Sequence, residues 1–190
     1  MKKLRTIFLV LIAATFAVEI TAQENSTSHE VNIEVPEVAL IGLVADNSTD
    51  IDFSTSSPVK AGSAVNFTNT KQHQNIWLNY SSIIRNQNHE RKIVAFIQGE
   101  IPEGVQLIVE ASEFEGSGKG KLGRSKGMIT LSNQPTEIIS DIGSCYTGKG
   151  ENNGHYLSYK IKYDESANFY ASLNSGQNSV QVVYTLTDNN

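Results

Sequence analysis

The chain is 190 residues long, sets 15 Lys and Arg against 20 Asp and Glu for a net charge of −5, and holds a single cysteine, Cys145. An acidic balance with no basic stripe speaks against nucleic-acid binding, whose affinity comes mainly from phosphate neutralisation, and one thiol excludes an intrachain disulfide. A chain of this length buries roughly two-thirds of its unfolded surface, so one domain held together by packing is expected.

Residues 1–22 have the anatomy of a secretory signal peptide. Lys2, Lys3 and Arg5 form a positive start, an apolar run of 12 residues covers 7–18, Glu19 closes it, and Ala22 offers a small residue at a cleavage point. A spanning helix needs about 20 apolar residues, so this run is too short to remain as an anchor. Export would place the protein in the periplasm, on the cell surface or outside the cell, away from nucleotides and reducing thiols. Cleavage after Ala22 would leave 168 residues with no membrane span.

Residues 23–30 are polar, without an apolar period, and read as a flexible leader. From residue 31 onward the chain is written in period two. Val31, Ile33 and Val35 alternate with polar residues, and Val38 and Leu40 continue after Pro36. Proline cannot donate to a ladder, so residues 31–40 are expected to form an edge strand or a bulge. Ile51 and Phe53 suggest a short strand. Ile76, Leu78 and Tyr80 alternate in the next. Residues 93–97 are nearly all apolar, as in a strand covered on both faces, and Leu107, Val109 and Ala111 alternate again.

Between these last two runs stands Ile101-Pro102-Glu103-Gly104. Proline second and glycine fourth suit a type I turn, and the two flanking strands are expected to pair as a hairpin. Shorter candidates cover residues 128–131 and 137–139. Leu157, Tyr159, Ile161 and Tyr163 give the clearest alternation, and Val180, Val182, Tyr184 and Leu186 the next clearest. Ala167, Tyr170 and Ala171 have helical spacing within 166–173, where a loop with one turn fits equally well. The sum is an all-β domain over residues 31–190. It is expected to be a two-layer β-sandwich of about eight to nine mostly antiparallel strands, Ig-like or pilin-like.

The motifs that could carry chemistry are incomplete. Residues 143–150, Gly-Ser-Cys-Tyr-Thr-Gly-Lys-Gly, come close to a phosphate-binding loop, but Gly150 replaces the hydroxyl residue that should follow Lys149. A mobile surface loop is the simpler reading. Residues 115–127 are glycine-rich and include Lys119, Lys121, Arg124 and Lys126. They read as a flexible hairpin tip, or as a cradle for an anionic ligand. His29, His73, His89 and His155 lack metal-ligand spacing. Cys145 is expected to be buried, with a partner disulfide or a thiol–imidazole pair with His155 as alternatives. Glu110, Glu113 and Glu115 read as a solvated strand end rather than a glycosidase pair.

Trp77 is the only tryptophan, and it points away from the face shared by Ile76, Leu78 and Tyr80. It is either core or an exposed platform for a sugar ring. The candidate contacts to a ligand or partner are therefore Trp77, Lys119, Lys121, Arg124, Tyr146 and Lys149. Asn25, Asn47, Asn66 and Asn79 begin Asn-x-Ser/Thr triplets, which are discounted as glycan sites because the signal peptide has a bacterial look.

Trp77-Leu78 and the later Tyr184-Thr185-Leu186-Thr187-Asp188 resemble the paired motifs of WxL surface-domain proteins, secreted bacterial β-sandwiches that associate with cell walls. The wider arrangement, with a strand near each end, resembles fimbrial subunits. Either resemblance implies a surface or structural role and transfers no catalytic residue. The expected function is an exported, non-enzymatic protein that acts by association with other surface proteins, with a cell-wall or extracellular glycan, or with itself. No cofactor and no metal are expected. A glycan-binding module is the alternative, and a secreted hydrolase comes third.

Overall fold

The structure is a computed structural model that describes residues 26–53, 58–65, 72–163, 167–172, 174–176 and 178–189. The signal-peptide segment therefore lies outside the described residues. Residues 26–35 form no regular element. Val31, Ile33 and Val35 are 68%, 85% and 68% exposed, so the strand expected there begins instead at Val38, after Pro36. The short strand expected at Ile51 and Phe53 is also absent, although both side chains pack against the core.

Residues Pro36–Asn190 make up one compact unit. Its strands are β1 Val38–Val44, β2 Gln72–Ile83, β3 Arg91–Gln98, β4 Val105–Ala111, β5 Lys119–Ser125, β6 Met128–Thr130, β7 Thr136–Tyr146, β8 His155–Tyr163 and β9 Gln181–Asp188. One short helix, α1 Ala167–Ser172, occupies the place where helical spacing was seen. The protein is all-β, as its alternation predicts.

All nine strands belong to one antiparallel sheet, ordered β6-β4-β8-β2-β7-β3-β9, with β1 added to β2 and β5 added to β7. This differs from two separately bonded layers, and the cause is a change of neighbour. β2 pairs with β8 through residues 72–78, then with Tyr146 and Cys145 of β7 through Ser81 and Ser82. β7 in turn pairs with β3 through residues 136–142. A bulge, with Asp141 at φ 59°, lets β7 bend between its partners.

The sheet folds over a single core drawn from β2, β3, β4, β7 and β8. Ile76, Leu78, Ile93, Val109, Ile138, Ile139, Ile142 and Leu157 are fully buried there. Each contributes about 1.5–3 kcal/mol by leaving water. The hydroxyls of Tyr159 on β8 and Tyr184 on β9 touch across the interior, although four ladders separate those strands along the sheet. In β3 one face is buried and the other half-buried, so its apolar run reflects one and a half covered faces rather than two.

The expected hairpin does not exist. β3 lies between β7 and β9, while β4 lies between β8 and β6. A turn is present one residue later than expected. Val105 N donates to Pro102 O at 3.0 Å, and Gly104 has φ 76°. Positive φ at the third residue is the type II signature. The turn reverses the chain but carries it to the other arm of the sheet, so turn chemistry set direction and not partner.

Both glycine-rich segments are also more ordered than expected. Residues 119–125 are strand β5, paired along β7. Gly120 has φ 100°, and a Cβ there would collide with the Ser144 carbonyl. Its glycine serves a tight ladder, not a flexible tip. Residues 143–146 complete β7, and the turn that follows is tied down rather than loose. Gly150 N donates to Asn79 Oδ1 at 3.0 Å, Asn79 Nδ2 donates to the Asn153 carbonyl, and Asn153 Nδ2 donates to the Lys149 and Glu151 carbonyls at 3.0 Å each.

Candidate interaction surface

Directly paired residues in a ladder share one face of the sheet. The registers Leu40↔Ser81, Ser81↔Tyr146 and Tyr146↔Lys119 therefore place four residues in a row across β1, β2, β7 and β5. The row lies on the face opposite the core, since Leu78 and Tyr80 point inward. Leu40 is 65% exposed and Tyr146 48%, and Lys119 is exposed at the far end. Two of the residues predicted to contact a partner, Tyr146 and Lys119, are thus brought together. Leu40 joins them through the β1 register, which no local pattern in the sequence discloses.

Trp77 shares this outer face but is only 4% exposed. It lies opposite Val44 and Tyr156 in the registers, and its ring meets that of Tyr156 edge-on at 5.5 Å. Its Nε1–H donates to Asn75 Oδ1 at 3.1 Å. The ring is a buried cross-strand anchor with no free face for a sugar.

The other predicted cations are dispersed and mostly paired. Lys121 Nζ bonds Glu90 Oε1, and Arg124 Nε lies 3.5 Å from Asp141 Oδ2. Lys126 Nζ lies 3.2 Å from Glu137 Oε1. Lys149 is exposed on the β7–β8 turn, on a different element from the β5 cations. They form an edge studded with ion pairs, not an anion cradle.

At the opposite end of the row, β1 begins on a clamp. Arg91 on β3 is buried, and its guanidinium spans three strands. Nη2 donates to Glu37 Oε1 at 2.6 Å and Nε to Asp188 Oδ1 at 2.9 Å. Nη1 reaches the Val38 carbonyl, Ser82 Oγ at 3.3 Å and the Ile83 carbonyl at 3.4 Å. The guanidinium fork satisfies carboxylates on two sides and carbonyls between them. The start of β1 is therefore fixed, while Leu40 and Leu43, 65% and 37% exposed, stand beyond it.

Two polar clusters lie apart from this row, one in the interior and one at the surface. In the interior, His155 is fully buried, with Nδ1 2.7 Å from the Ser112 carbonyl and Nε2 3.0 Å from Tyr80 Oη. Both ring nitrogens are engaged, so the thiol–imidazole pair with Cys145 has no nitrogen to use. Burial raises the Cys145 thiol to about 11, the opposite of an activated nucleophile. At the surface, Asn75 Nδ2 donates to Asp46 Oδ2 at 3.0 Å and Glu151 Oε2 at 3.3 Å. The two carboxyls hydrogen-bond each other, which lowers Asp46 and raises Glu151. Ser48, Asp50 and Asp52 line the adjoining shallow cleft.

Among the described residues no three acidic, His or Cys side chains converge as a metal set, and no helix is long and apolar enough to cross a membrane. No family model, curated protein or solved structure matches this chain.

Proposed function

We propose that this is an exported, non-enzymatic surface or structural protein that works by associating with other proteins along the edge and outer face that β1 provides. One observation supports the reading above the rest. β1 is seven residues long, Val-Ala-Leu-Ile-Gly-Leu-Val, with no charge and no proline, and it pairs only with β2 among the described residues. Sheet edges are ordinarily blunted by charge, proline or brevity, and an unblunted one is a template for strand addition. The sequence resemblance of Trp77-Leu78 and residues 184–188 to cell-wall-associated surface proteins, and of the strands near each end to fimbrial subunits, favours the same reading. Fractionating expressing cells, together with light scattering on the purified protein, tests the proposal. Retention at the envelope or a multimeric mass is expected, and a monomer found only in the culture fluid overturns it.

A glycan-binding module is the second reading. The exposed Tyr146 ring beside Lys119, in place of Trp77, favours it. Aromatic faces stack on sugars and a neighbouring ammonium suits an acidic one. A glycan array repeated with Tyr146→Ala separates the readings, because loss of a specific signal supports this one and an empty array removes it.

A further inference from the structure

We infer that β1 pairs antiparallel with β1 of a second copy of this chain, about a two-fold axis at Ile41, so that one sheet runs through both copies. The inference rests on the association proposed above and names its partner.

β5 ends the sheet on one side and carries Lys119, Lys121 and Arg124. β6 is three residues long. Those two edges are protected by charge and by brevity. β9 carries Asp188 at the end where it is clamped to Arg91. β9 is otherwise uncharged but sets Gln181, Thr185 and Thr187 among its apolar residues, whereas β1 alone among these edges is apolar throughout.

Gly42 supplies an independent observation. It sits in mid-strand, where glycine weakens β-structure. Its backbone needs no positive φ, and a Cβ built there meets nothing within 4 Å. The fold of one chain gives no reason for glycine at this position. Close approach of another backbone or side chain gives one.

Pairing centred on Ile41 supplies that neighbour. It overlaps all seven residues and sets Val38 opposite Val44, Ala39 opposite Leu43, and Leu40 opposite Gly42 of the second copy. Each exposed leucine meets a small residue. The arrangement is isologous, so each contact occurs twice and the assembly closes at two copies.

The test uses protein purified from cells expressing the whole chain. Light scattering and sedimentation along a dilution series are expected to show a dimer. Leu40→Lys with Leu43→Lys brings the two charges introduced at position 40 together diagonally across the axis and removes both leucine contacts, which weakens dimerisation about tenfold or more, with the circular dichroism spectrum unchanged. Gly42→Val is the variant that guards against misfolding. It leaves thermal stability of the monomer equal or higher, yet weakens the dimer. In a Cys145→Ser background, mixing Ala39→Cys with Leu43→Cys protein yields a heterodimeric disulfide under oxidation, which confirms the register. A protein that is monomeric throughout but retained at the envelope overturns the self-pairing and leaves the association proposal standing. A monomer confined to the culture fluid overturns both. A dimer insensitive to the β1 variants and lost on changing Val31, Ile33 and Val35 to Ser places the contact in residues 31–35 and overturns the inference.

Discussion

His155 Nε2 lies 3.0 Å from the Tyr80 hydroxyl in a fully buried setting, and the two rings stack with centroids 5.7 Å apart. The Ser112 carbonyl can only accept, so Nδ1 carries the proton of the neutral ring. Nε2 then accepts from Tyr80, whose single proton is shared with the Leu122 carbonyl. Burial lowers the folded-state pKa of His155 below 6.5, against smaller opposing effects from the Ser112 and Leu122 carbonyls and from Glu113. Because the folded value is depressed, the stability from this group is present above about pH 6.5 and is lost as pH falls below it. Thermal melts between neutral and mildly acidic pH should show this slope, and His155→Gln should flatten it while lowering the melting temperature.

The Arg91 clamp makes a second prediction. Arg91→Ala strips hydrogen bonds from the Val38 and Ile83 carbonyls and releases Glu37 and Asp188. Both carboxylates keep part of their surface in water, 41% for Glu37 and 66% for Asp188, so the cost falls below that of a fully buried pair, at about 2–3 kcal/mol. Arg91→Lys recovers little of this, because an ammonium cannot fork to two carboxylates at once. Glu37→Gln costs less than about 1 kcal/mol. Denaturant midpoints of the three variants give the order.

Two glycines with the same sign of φ should behave differently. Gly120 is at φ 100° with the Ser144 carbonyl where a Cβ would stand, whereas Gly127 is at φ 73° with nothing within 4 Å. Gly127→Ala carries only the left-handed backbone cost, about 1–2 kcal/mol. Gly120→Ala adds the collision and must loosen the β5–β7 ladder. Urea unfolding should show the larger loss at Gly120, and hydrogen exchange should rise along β5.

The single thiol provides a probe of opening. Cys145 is buried and its thiol is raised to about 11. A disulfide reagent at neutral pH should therefore label native protein very slowly, and label it at once in denaturant. Rapid labelling of the native form would show that the β5–β7 ladder opens readily.

Strand positions were legible wherever one face is core. Ile76, Leu78 and Tyr80 alternate because one face of β2 lines the core, with Trp77 buried separately on the other face, and Leu157 and Tyr159 alternate in β8 for the same reason. Strand partners were not legible. The Pro102–Val105 turn reverses the chain, yet β3 pairs with β9, whose Leu186 lies opposite Ile93. No short-range signal records a contact of that separation. Residues 31–35 alternate without being a strand, because alternation states only that a strand could form. The ordered state of β5 was hidden for the reverse reason. Its lysines and glycines look like a loop until β7 is known to lie beside them. The outer-face row of Leu40, Ser81, Tyr146 and Lys119 likewise exists only through three ladders.

The hand-over of β2 from β8 to β7 joins the two arms of the sheet at Ser81 and Ser82. Neither arm can be completed from a contiguous stretch of sequence, since β2 and β7 lie far apart along the chain. Collapse must wait for distant segments to find each other, which makes acquisition of the native state slow and cooperative. A nick between β2 and β7 should leave two halves that hold together as a complex and lose their order when parted.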